Sequence, residues 1–133
     1  MSQPAGYSGT PLPKKLGIGP HSRVLLDGAP DDFVLDGVDA HRRPGPDPYD
    51  VIMLFCVDMA TLARRWAALH PRTTAPGSIW VAWPKRAAKI PTDLDGNVVR
   101  EFGLANGRVD VKVCAIDETW SGLKFVVRVA DRR

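Results

Sequence analysis

Long apolar runs are missing from this 133-residue chain. None approaches the roughly 20 consecutive residues that a helix needs to cross a bilayer, which argues against a membrane span. Residues 1–9 are small and polar and hold no apolar signal core, so the expectation is a cytoplasmic protein. Cysteine is scarce. Cys56 and Cys114 both sit in apolar runs, and neither belongs to a Cys-x-x-Cys motif. Two reduced thiols packed as small hydrophobes are expected, not a redox pair. The three histidines (His21, His41 and His70) are scattered, with no spacing that sets two on one helix face, and no metal site is expected. No dense Lys/Arg run with interleaved aromatics appears, which argues against nucleic acid as a partner.

What is present belongs to an ordinary globular domain. Hydrophobic residues make up 44% and charged residues 25%, enough apolar surface for one core at this length. The net charge of +3 is unevenly placed. Residues 1–58 carry 5 basic and 8 acidic groups, whereas residues 59–133 carry 13 basic and 7 acidic groups. The basic second half permits contact with an anionic partner.

Residues 1–20 hold four prolines and four glycines and read as an extended N-terminal arm, with one helical turn at most around Lys14–Leu16. Residues 21–133 read as a single domain. Arg23–Leu26 is a first strand, Asp31–Leu35 a short turn, and Val38–Arg42 an edge strand. Tyr49–Phe55 and Ser78–Trp83 are strands, and Val51–Phe55 and Ser78–Trp83 are apolar on both faces, the habit of central parallel strands. Between them Asp58 caps a helix reaching about His70, with Met59, Leu62, Trp66 and Leu69 on one face. Thr92 or Asp95 caps a second helix to about Ala105, stopped by Gly107. Asp110–Ile116 and Leu123–Val129 flank a six-residue loop and read as a hairpin.

This order predicts an α/β fold. It has a small, mostly parallel Rossmann-like sheet flanked by helices, ending in an antiparallel hairpin. The arrangement resembles a truncated methyltransferase-like Rossmann fold over about Arg23–Val129, a likeness of topology alone. Three stretches resemble a family. They are Gly6–Leu12 with Lys14–Ile18, then Trp80–Lys85, then Val113–Leu123, and they are similar to an uncharacterised actinobacterial family, domain of unknown function 3052. That resemblance implies no activity and transfers no catalytic residue.

Familiar chemistries fail on their motifs. A dinucleotide loop needs several glycines directly after the first strand, where the backbone must approach a phosphate. Here Leu26-Asp27-Gly28-Ala29-Pro30 offers one, and Gly17-Ile18-Gly19 precedes the strand. The ribose-holding acid after the second strand is replaced by His41-Arg42-Arg43. Neither S-adenosylmethionine nor NAD is expected to bind, and no cofactor is assigned. Arg42 and Arg43 suit either a phosphate or a solvated edge that resists aggregation, and the second reading is preferred. Gly6-Tyr7-Ser8-Gly9 lacks the strand and the Gly-x-Ser-x-Gly spacing of a hydrolase elbow, and nothing marks Ser121 as activated.

One constellation remains. Loops leaving the C-terminal ends of parallel strands share a rim where ligands bind. Asp27, Trp83, Lys85, Lys89, Asp117, Glu118 and Trp120 fall on that rim. Aromatic walls with a few polar groups suit a small anionic ligand. The competing reading is structural, with both indoles packed and Lys85 paired to Asp117 or Glu118. Three functions follow. The leading one is a binding domain for a small anionic ligand or a protein, on a methyltransferase-like scaffold without its nucleotide loop. The others are a small enzyme acting on an anionic metabolite, and a protein-interaction module using the N-terminal arm.

Overall fold

The computed structural model describes residues 10–132. The sheet is built outward from its two most apolar segments. Strands β3 (Tyr49–Phe55) and β4 (Thr73–Pro84) pair in parallel at its centre, as their two-faced hydrophobicity predicts. Strand β1 (Val24–Asp27) lies parallel on the other side of β3, and the two-residue edge strand β2 (Ala40–His41) lies parallel to β1. Strands β5 (Val109–Ala115) and β6 (Trp120–Val126) form the hairpin, and β6 pairs antiparallel with both β4 and β5. The spatial order is β2-β1-β3-β4-β6-β5, a mixed α/β sheet with three parallel and two antiparallel pairings.

Successive strand side chains point to opposite faces, and this sorts the core into two layers. Ile52, Leu54, Ile79, Val81, Leu123 and Phe125 face one side. There they meet helix α2 (Met59–Leu69) and helix α3 (Gly96–Ala105) through Leu62, Trp66, Leu69 and Val99. Asp58 caps α2 by accepting the Thr61 amide at 2.7 Å, and Asp95 caps α3 by accepting the Val98 amide at 2.9 Å. Val51, Met53, Phe55, Trp80 and Ala82 face the other side. The sequence reading has the sheet flanked by helices, but both long helices lie on the first face. The second is covered by Leu16, Phe33 and Leu35, from the N-terminal segment and the β1–β2 connection.

The described part of the N-terminal segment lies on the sheet. Leu12–Lys15 forms a one-turn helix, α1, and Leu16 is completely buried. The Trp80 indole donates its Nε1 hydrogen to the Leu16 carbonyl at 3.0 Å, 64 residues away in sequence. This satisfies the buried indole, and the bond holds the segment on the sheet. The reading of residues 1–9 as extended lies outside the described residues. The hairpin turn is also shorter than the sequence suggests, because Trp120, Ser121 and Gly122 are strand residues paired with Pro84, Trp83 and Ala82.

A second tie binds the opposite end of the sheet. Arg108, 3% exposed, donates to the His70 carbonyl at 3.0 Å and the Thr73 hydroxyl at 2.6 Å, joining the C-terminus of α2 to the start of β4. Burial pushes its guanidinium down to about 10. No helix among the described residues is long and apolar enough to cross a membrane.

Gly103 marks the closest approach of α3 to the sheet. A Cβ there would lie 2.1 Å from the ring of the buried Phe125, so the helix seats against β6 only because this position has no side chain. Gly103→Ala is expected to destabilise the fold by about 1–3 kcal/mol, outweighing alanine's higher helix propensity. Urea denaturation checks this; unchanged or raised stability overturns the packing argument.

Candidate functional site

The rim exists. Strands β1, β3 and β4 all end on it, at Asp27, Phe55 and Pro84. The hairpin turn is fixed beside them, since the Lys85 amide donates to the Thr119 carbonyl at 2.8 Å. Thr119 and Trp120 both donate their amides to Asp117 Oδ1 at 2.8 Å, which shapes the turn.

Side-chain alternation divides this rim in two. Trp83 pairs with Ser121, and its neighbour Pro84 pairs with Trp120. Trp83 therefore faces the layer of α2 and α3, while Trp120 faces the layer of Phe33 and Phe55. The two indoles do not converge, contrary to the sequence reading. Each is 8% exposed, and Trp120 packs edge-on against Phe55 at 5.2 Å. A one-residue step along β4 or β6 exchanges faces, and that step was not legible without the strand register.

On the α3 side lies a cleft of about 590 Å³. Its wall is Trp83 and Leu94, and its charge comes from Lys85, Arg86 and Lys89. Thr92 and Ser121 add hydroxyls, and Asp95, already capping α3, is its one carboxylate. Lys85 is half-buried and makes no ion pair with Asp117 or Glu118, nor does Arg86 or Lys89 pair with any acid among the described residues. Lys89 closes a short 3-10 turn in the left-handed region at φ 56°, the one positive-φ residue other than glycine among the described residues. On the opposite side lies a groove of about 560 Å³. Trp120, Phe33 and Ile116 make it apolar, and Asp32 and Asp117 border it. Ile90 lines both. Glu118 is exposed and lines neither.

Asp27 is committed elsewhere. Arg65 of α2 grips it with two hydrogen bonds, of 2.7 and 2.9 Å, and the carboxylate raises the guanidinium pKa above its ordinary value. The next residue, Gly28, has φ +73°, and a Cβ there would stand 2.9 Å from the Phe55 carbonyl oxygen. The N-terminus of α2 is occupied by two of the protein's own carboxylates. Besides Asp58, Asp93 accepts the Met59 amide at 2.9 Å. Arg42 is also engaged, donating to the Pro30 and Phe33 carbonyls. Compared with known proteins, the chain matches no family model and no curated protein. No cluster of three or more metal-ligating side chains occurs among the described residues.

Sequence reasoning missed Arg65, Arg86 and Ile90. Arg86 was within reach, as a basic neighbour of Lys85 on the same short loop. Arg65 was not, since only the packing of α2 on β1 brings it to Asp27.

Two measurements follow. Cys56, at the end of β3, is buried, and desolvation with Asp27 and Asp58 nearby pushes its thiol up to about 12. A thiol pKa raised on folding stabilises the native state fully below the unfolded value near 9, and that contribution is lost as pH rises towards 12. Stability should fall more steeply over this window in the parent than in Cys56→Ala; parallel pH profiles refute the assignment. Trp120→Ala should cost about 3–5 kcal/mol in denaturant melts, as for other buried indoles, and a loss below about 1 kcal/mol would mean the ring is not core.

Proposed function

We propose that this protein is a binding domain for a small anionic ligand, held in the basic cleft on the α3 side of the rim. The observation that carries the reading is Lys85, Arg86 and Lys89 on one short loop, without ion-pair partners among the described residues, around a cleft walled by Trp83. Cations left without acids raise the local concentration of anions and give charge-assisted hydrogen bonds.

The scaffold is read as a truncated, degenerate methyltransferase-like Rossmann fold. Its support is the last strand, β6, inserted antiparallel between β4 and β5. The reading that the nucleotide-binding loop has been lost is supported by three contacts. Arg65 holds Asp27, Gly28 abuts the Phe55 carbonyl, and Asp58 and Asp93 fill the N-terminus of α2. The resemblance of Gly6–Ile18, Trp80–Lys85 and Val113–Leu123 to the actinobacterial family of unknown function is kept as a proposal and implies no activity. Cys56 and Cys114 are free and buried in opposite layers of the core, which suits the reducing cytoplasm.

Inorganic phosphate, titrated by nuclear magnetic resonance, tests the proposal. Amides of residues 85–95 should shift on titration. Lys85→Ala or Arg86→Ala should each weaken binding about ten- to hundredfold, the equivalent of the roughly 1.5–3 kcal/mol of a charge-assisted hydrogen bond. Melting should move by no more than about 0.5 kcal/mol, as for most surface side chains. Parental affinity in both variants would falsify the site.

A further inference from the structure

The basic cleft does not end at its own wall. Ile90 lines it on one side and the apolar groove on the other, so the two share a lip. Around the groove, apolar surface is left facing solvent. Val34 is 69% exposed and Ile90 36%, while Trp120 and Phe33 form a floor below them. The two halves also differ in sign. The cleft holds three cations without ion-pair partners among the described residues against one carboxylate, Asp95, which is engaged in capping α3, and the groove is bordered by two carboxylates, Asp32 and Asp117.

From this juxtaposition we infer that the ligand is an amphiphile, with an anionic head in the Lys85–Arg86–Lys89 cleft and an apolar body crossing Ile90 into the groove over Trp120. The inference rests on the anion-binding reading and specifies its ligand. Charge complementarity fixes the direction of the ligand. The head is drawn to the three cations, and Asp32 and Asp117 repel an anion from the far end. Apolar burial supplies affinity along the body, because Phe33, Val34, Ile116 and Trp120 offer aromatic and aliphatic surface inside the border set by Asp32, Asp117 and Thr119. A free anion without a body would leave Val34 and Ile90 in water, and a purely apolar ligand would leave the three cations without a counter-charge.

The test compares inorganic phosphate with 1-naphthyl phosphate on the full chain, by calorimetry and amide shifts. Two variants are added. Val34→Ser changes an exposed side chain that lines the groove but not the cleft, and Ile90→Ser changes the shared lip. The expected result is that naphthyl phosphate binds the parent at least tenfold more tightly than phosphate. It should shift the amides of Val34, Thr119 and Trp120, which phosphate leaves in place. Val34→Ser should remove much of that gain and leave phosphate affinity unchanged, and Ile90→Ser should remove more of it. Equal affinity for the two probes, or a gain that both variants keep, overturns the inference while the anion site stands. Binding of neither probe overturns the anion site and the inference together.

Discussion

Strands β3 and β4 lie side by side with both faces buried, and every other element answers to that demand. From Val51 to Phe55 and from Ser78 to Pro84 every residue is buried, so the sheet needs a cover above and below. Helices α2 and α3 provide one through Leu62, Trp66 and Val99. The other comes from chain with little regular structure, including Leu16, Phe33 and Leu35. Irregular chain over a core must satisfy its own backbone groups. The Trp80–Leu16 hydrogen bond, the turn closed from Phe33 to the Pro30 carbonyl, and the Arg42 contacts to the Pro30 and Phe33 carbonyls do this work.

The elements set by local rules were legible in the sequence. Val51–Phe55 is apolar throughout, and Asp58 and Asp95 stand directly before helical periodicity, so their strand and helices follow from residue type and spacing. What was not legible depends on long-range register. Thr73–Gly77 carries little hydrophobic signal; Thr73 pairs with Tyr49, and residues 74–77 form the irregularity before the pairing resumes at Val51 and Ser78. Trp120–Gly122 looks like turn chemistry and becomes strand because Pro84, Trp83 and Ala82 lie opposite. The N-terminal segment has the composition of a free arm, and only the waiting surface of Trp80 shows why Leu16 is buried.

The same register governs the candidate site. The rim was foreseeable from parallel strands, and Lys85 and Lys89 sit where the order of elements places them. The separation of Trp83 from Trp120 was not, since it turns on which residue of β6 faces Pro84. The result is a rim with a basic half and a half floored by Phe33 and Trp120 and bordered by acids instead of one mixed pocket. Polarity of that kind selects the orientation of a bound molecule before it selects its size.

The insertion of β6 between β4 and β5 carries a consequence for how the chain is made. Synthesis runs from β1 towards β6, so β5 leaves the ribosome before the strand that joins it to the sheet. Until residues 120–126 emerge, β4 has one unpaired edge and β5 has no partner of any kind. Folding therefore cannot finish progressively as the chain lengthens. The exposed edge of β4, one of the most apolar strands in the molecule, is a transient hazard for association with other nascent chains. The last strand to be translated is the one that removes it.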